Sequence, residues 1–246
     1  RSLIMPVDKL TINSWEDFFD YDYDLFSRSI ELEIFINTIK KFVPKGESIL
    51  ETGFGSGATS ILLAEMGYNV TAIDIDEKLI ENLKQWEKTL KNLSVKKSDM
   101  LKLSFKDNSF YAVIHQGVLE HFNKTQIESI LHEQKRVSKK HIIFDVPNHR
   151  VQIHEHLNSP ELLFHSKLTL KEWRKLIKKN GLSIKHEYGR GGYIYNLIPL
   201  GFIRADQLHK KRLKSLKFIT KFFSSLFNFY LKWRGDTNGF VCEVKK

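Results

Sequence analysis

A chain of 246 residues is long enough to bury a full hydrophobic core. Its apolar share of 41% and charged share of 28% are those of an ordinary globule and exclude a disordered chain. The net charge of +10 is concentrated: Arg204–Arg234 carries nine lysines and arginines against one acid, Asp206. The remainder is nearly neutral, which argues against a nucleic-acid surface spread over the whole protein.

The opening "RSLIMPVDKL" lacks the long apolar run of a secretory signal. The sole cysteine, Cys242, excludes an internal disulfide framework and fits a reducing compartment, so a cytoplasmic location is expected. Residues 11–43 have helical spacing and form an expected N-terminal cap, with Ser14 and Asp17 in a capping arrangement. "VPKGE" breaks the helix. Alternating units follow: strand Ser48–Thr52, helix Ala58–Glu65, strand Asn69–Ile75, helix Glu77–Thr89, strand Leu93–Lys97, strand Tyr111–Gln116, helix Thr125–Val137 and strand His141–Val146. "TLKEWRKLIKKNG" is a further helix, with Thr169 and Glu172 as a capping box and Gly181 as the C-terminal stop. "LSIKHEYG" and "GFVCEVKK" are strand candidates on either side of a helical insertion at 190–238.

This order predicts an α/β fold: a doubly wound, mostly parallel, seven-stranded sheet with helices on both faces. One domain over 1–246 is expected, with the cap at 11–43, a core at 45–188, the insertion at 190–238 and the last strand at 239–246.

Strand, Gly53-x-Gly55-x-Gly57, helix is a geometry that lets a ligand approach the backbone at a helix N-terminus. Gly53, Gly55 and Ala58 satisfy a dinucleotide fingerprint, with Asp74 about twenty residues on to hold ribose hydroxyls. Glu51 lies just ahead of the loop, where a carboxylate would oppose a pyrophosphate and suit a cationic ligand. On the loop alone, a NAD(P)-dependent oxidoreductase remains an alternative.

Four motifs in order extend the pattern: "ETGFGSG" at Glu51–Gly57, Asp99-Met100, "LSFKDNSF" at 103–110, and Leu119-Glu120-His121. Together with "FDVPNHR" and the "TLKEW" helix, they resemble the class I S-adenosylmethionine-dependent methyltransferases, of the type acting on small molecules. The resemblance spans about residues 45–188; Tyr111, where the family commonly has aspartate, and the insertion before the last strand depart from it.

The resemblance implies a set of roles. Glu51 and the backbone of Gly53, Phe54, Gly55 and Gly57 would hold the methionine part of S-adenosylmethionine. Asp74 would take the ribose hydroxyls, Ile75 would pack on the adenine, and Asp99 beside Met100 would accept from the adenine amino group. Gln116, Gly117 and Val118 would line the wall near the sulfonium. S-adenosylhomocysteine would be the product.

Methyl transfer from a sulfonium needs alignment, exclusion of water and, for many acceptors, a proton acceptor. Candidate bases are His121, which resembles in placement a histidine of phosphobase methyltransferases, and the cluster His149, His154 and His156. Tyr21 or Tyr23 is the matching lid tyrosine, and a hydrogen-bonded structural role is the alternative for His121. The spacing of "HRVQIHEH" does not suit a metal, and none is expected. "HQGV" after the fourth strand replaces the Asn/Asp-Pro-Pro-Tyr/Phe signature of amino-group DNA methyltransferases, so no DNA substrate is expected.

The expected reaction is methyl transfer to an oxygen or nitrogen of a small-molecule acceptor. Leu216, Ile219, Phe223, Leu226, Tyr230 and Trp233 make an apolar helical face beside a lysine stripe. That segment, 204–234, is a candidate for a helix packed on the fold, a substrate lid, a dimer contact, or attachment to an anionic membrane, lipid-linked or RNA acceptor.

Overall fold

The period-two alternation of the strands and the 3.6-residue spacing of the helices assemble into three layers. The computed structural model describes residues 32–148, 168–190 and 237–245. These form α1 (Glu33–Phe42), β1 (Ser48–Thr52), α2 (Ala58–Glu65), β2 (Asn69–Asp74), α3 (Glu77–Lys84), β3 (Leu93–Lys97), β4 (Phe110–Gln116), α4 (Lys124–Val137), β5 (Ser138–Pro147), α5 (Leu170–Lys179), β6 (Leu182–Arg190) and β7 (Thr237–Val244). The seven strands make one sheet in the order β3-β2-β1-β4-β5-β7-β6. β3, β2, β1, β4 and β5 are parallel, and β7 runs antiparallel between β5 and β6.

Neighbouring residues on a strand serve opposite faces. Ile49, Ala112, Ile114 and Ile143 pack with α1, α2 and α3 through residues such as Phe35, Ile61 and Leu83. Ile142, Phe144 and Val146 pack on the other face with Ile127 and Leu131 of α4 and Trp173, Leu176 and Ile177 of α5. Both faces of the sheet are therefore covered, as parallel strands require.

Boundaries shift in a few places, each for a local reason. β2 ends at Asp74, because the Asp74 carboxylate accepts the N–H groups of Ile75 and Asp76 and turns the chain. α3 stops at Lys84 and tightens into a 3-10 turn, Gln85–Lys88. α4 starts one residue earlier than expected, under a reciprocal cap between Asn123 and Gln126. The Thr169–Glu172 capping box of α5 and the left-handed Gly181 stand where the sequence places them. β5 begins at Ser138, and β6 and β7 leave 191–236 between them, so the insertion lies outside the described residues, as does most of the N-terminal cap. Among the described residues, no helix is long and apolar enough to cross a membrane.

Candidate active site

Parallel strands end along one edge, and the strand order reverses between β1 and β4, which opens a crevice there. The loop after β1 fills one side of it. Gly53, Gly55 and Gly57 have φ of +67°, +54° and +76°, conformations that only glycine adopts without strain. A Cβ on Gly53 would stand 3.0 Å from Val118 Cγ2 and 3.2 Å from Met100 Cε, so the loop is seated against the far wall. A Cβ on Gly57 would meet Leu83 Cδ1 at 2.6 Å. Phe54 is buried between these glycines.

Two carboxyls flank the loop. Glu51, on β1, is 3% exposed, and its Oε2 accepts a short hydrogen bond from Ser60 Oγ on α2. Burial pushes its carboxyl up to about 8; the Ser60 hydrogen bond opposes this and the charge of Asp74 adds to it. Asp74 Oδ1 accepts from the N–H groups of Ile75 at 2.8 Å and Asp76 at 3.1 Å, and Oδ2 takes the N–H of Gly55 at 3.4 Å. Burial raises the Asp74 carboxyl against the pull of those hydrogen bonds. Ile75, beside it, is 60% exposed, an apolar platform facing solvent. Asp99 is exposed with Oδ1 on the N–H of Leu101 at 2.8 Å, and Met100 is buried behind Gly53.

The opposite wall is built at the end of β4. Gln116 Oε1 accepts from Thr59 Oγ1 at 2.9 Å, and Nε2 donates to Asp145 Oδ2 at 3.3 Å. The amide thus ties β4 to α2 and β5. Gly117, at φ +61°, donates its N–H to the Asp145 carbonyl at 3.1 Å. Val118 is half-buried against Gly53, and a 3-10 turn, Leu119–His121, ends on a half-buried His121.

Ser60, Glu120 and Asp145 are site residues that sequence reasoning missed. Glu120 and Asp145 are buried, and their only signal was position: one inside "LEH", the other at the end of β5. His115 is a core residue, stacked on Phe144 at 5.0 Å and driven down to about 3 by burial. His149, His154, His156, Tyr21, Tyr23 and the segment 204–234 lie outside the described residues. Among the described residues no cluster of three or more histidines, cysteines or acids is placed to hold a metal.

Glu51, Asp74 and Glu120 form no ion pair with a described lysine, arginine or histidine. A crevice lined by carboxyls without counter-charge fits a ligand that brings positive charge, such as the sulfonium and ammonium of S-adenosylmethionine. A dinucleotide pyrophosphate would oppose ionisation of Glu51, which a cationic ligand would favour. The residues present therefore fit the sulfonium cofactor.

Comparison with known proteins agrees with that fit. The profile of a family described as "Methyltransferase domain" matches residues 49–141. An uncharacterized protein of Methanocaldococcus jannaschii is 31% identical over 163 residues, 64% of this chain and 68% of that protein. The ribosomal protein L11 methyltransferase of Thermotoga neapolitana is 31% identical over 101 residues, so this chain spans 38% of that relative's length and the match takes 38% of its own. Among solved structures, a SAM-dependent methyltransferase from Aquifex aeolicus superposes with a TM-score of 0.59 at 16% identity, over 89% of this chain and 93% of that one.

Proposed function

We propose that this chain, which carries a methyltransferase domain over residues 49–141, is a class I S-adenosylmethionine-dependent methyltransferase and methylates an oxygen or nitrogen of a small-molecule acceptor. The observation that carries this reading is Glu51, buried under a left-handed glycine loop at the β1/β4 crevice and paired with no cation among the described residues.

S-adenosylmethionine, when bound, supplies an electrophilic methyl group on a sulfonium. Glu51 and the Gly53–Gly57 backbone would hold its methionine part. Asp74 Oδ2, with only a 3.4 Å contact of its own, has capacity left for a ribose hydroxyl. Ile75 would cover one face of the adenine, and Asp99 Oδ2, which has no partner among the described residues, would accept from the adenine amino group. Gln116, Gly117 and Val118 would form the wall beside the reacting carbon, with the Gln116 amide orientation fixed by Thr59 and Asp145.

The chain's part in the chemistry is alignment, exclusion of water and proton removal. As the acceptor oxygen or nitrogen takes the methyl group, His121 would accept the proton it loses; His149, His154 and His156 are the other candidates, with Tyr21 or Tyr23 as a covering tyrosine. His121→Ala should lower turnover by about 10²- to 10⁴-fold while S-adenosylmethionine still binds. Release of S-adenosylhomocysteine across a panel of amine and hydroxyl acceptors measures this. Full activity in all four single histidine variants overturns the base assignment.

One observation favours a second reading. Eight of the ten net positive charges fall in 204–234, which suits an RNA or lipid-linked acceptor. Acceptor affinity falling steeply with salt would select it.

A further inference from the structure

Arg136, half-buried near the end of α4, uses all five N–H groups of its guanidinium. Nε and one Nη2 donor go to the Glu133 carboxylate at 2.9 Å each, and the other Nη2 donor goes to the Leu103 carbonyl at 2.9 Å. Nη1 donates to the Phe105 carbonyl at 2.7 Å and to Asp107 Oδ1 at 2.8 Å. Glu133 Oε2 in turn accepts the Leu103 N–H at 2.9 Å, so Leu103 is gripped by both its backbone groups. The Arg136 carbonyl takes the N–H of Asn108 at 2.9 Å, where the chain turns at φ +57°. The hydrogen bond from Arg136 holds the Glu133 carboxyl below the usual carboxylate range, so both members are charged at neutral pH. A lysine has three donors and no planar fork, and could not hold these groups together.

The segment clamped in this way begins where the turn carrying Asp99 ends. Asp99 Oδ1 accepts the Leu101 N–H at 2.8 Å, and its carbonyl accepts the Lys102 N–H at 3.2 Å. In front, the turn is tied by the Ser98 N–H to the Asp74 carbonyl at 3.0 Å; behind, it runs straight into Leu103. The Leu103 side chain is buried in the cluster with Leu50, Ile73 and Val137, which fixes its depth. Apolar packing has no direction, whereas the two backbone bonds do, and they set how the chain leaves the turn. Asp99 itself is exposed, so its carboxylate is placed by the backbone on either side.

We propose that Arg136 and Glu133 are positioning residues that set the base preference of the crevice: by orienting Leu103 they hold the Asp99 carboxylate where it meets the amino group of an adenine. The amino group is a donor and the carboxylate only an acceptor. A base with a carbonyl at that position would set two acceptors against each other and be rejected. Rejection requires that Asp99 stay in place. With the rear anchor loosened, the turn remains tied to Asp74 in front and swings toward solvent, where its carboxylate is satisfied by water and distinguishes neither base. The base preference rests on reading the crevice as an S-adenosylmethionine site; the anchoring of the turn does not.

The test compares wild type with Arg136→Lys, which keeps the charge but not the fork, and Glu133→Gln, which keeps the shape but not the charge. Calorimetry at neutral pH sets S-adenosylhomocysteine against S-inosylhomocysteine, which carries a carbonyl in place of the amino group. Wild type should prefer the adenine ligand by about 10-fold or more, Arg136→Lys by less than about 3-fold, and Glu133→Gln by an intermediate ratio. General loosening of the fold weakens both ligands alike and leaves the ratio unmoved. An unchanged ratio in the variants, or equal affinity of wild type for the two ligands, therefore overturns the proposal. If Arg136→Lys does not fold, Glu133→Gln carries the same comparison. Should wild type bind neither ligand, the S-adenosylmethionine reading fails, and the anchoring is judged on the ligand-free protein. Amide hydrogen exchange at Leu101, Lys102 and Leu103 should quicken by about 10-fold in the variants, while Val113 and Ile114 on β4 keep wild-type rates. Unchanged exchange at those three amides overturns it.

Discussion

Replacing Glu51 by glutamine should make the ligand-free protein more stable and the liganded protein weaker. The glutamine oxygen can still accept from Ser60 Oγ, so the change removes little but the ionisable group. Glu51 is 3% exposed, and its carboxyl rises from 4.5 to about 8 on folding. A folded-state pKa above the unfolded one means stability that is fully present below 4.5 and lost as pH climbs to about 8. Each unit in that window costs about 1.4 kcal/mol, so at pH 7 wild type forgoes at most about 3 kcal/mol relative to the glutamine variant. For a chain of this size that corresponds to a rise in midpoint of roughly 6 to 12 °C. Thermal melts of both proteins from about pH 5 to pH 8 should diverge steadily, and Glu120, present in both, drops out of the difference. Addition of S-adenosylmethionine should then stabilise wild type more than the variant, because only wild type offers a carboxylate to the incoming charge. Parallel melting curves across that range would refute the reasoning.

Gly57→Ala places a Cβ 2.6 Å from Leu83 Cδ1 in a left-handed conformation; it should destabilise by about 2 to 4 kcal/mol, read as a lower denaturant midpoint at unchanged slope. Thr169→Ala removes the side-chain acceptor for the Glu172 N–H at the start of α5 and should cost about 1 kcal/mol with cofactor affinity intact. Trp173→Ala, at a site 2% exposed under Phe144, should cost about 3 to 5 kcal/mol by chemical denaturation, while an effect under 1 kcal/mol would contradict the packing described.

Local chemistry was readable in advance; long-range pairing and burial were not. β1 and α2 fall at the bounds their spacing sets, because each is fixed by nearest neighbours and by glycines near its ends, and β3 falls at its expected bounds as well. The insertion of β7 between β5 and β6 depends on contacts nearly a hundred residues apart, which periodicity does not encode. Glu51 and Asp74 were legible as carboxyls on either side of a glycine loop. Ser60 and Asp145 were not, because a pattern of polar and apolar residues does not say which polar groups are sealed from water.

If the β1/β4 crevice holds S-adenosylmethionine, Asp74 should bind its ribose hydroxyls. Calorimetric titration of S-adenosylmethionine into wild type and Asp74→Ala decides this. Wild type should bind, and loss of one charge-assisted contact of about 1.5 to 3 kcal/mol should weaken the variant by roughly 10- to 150-fold. Equal affinity in the two proteins, or binding of a nicotinamide dinucleotide in place of S-adenosylmethionine, would contradict it.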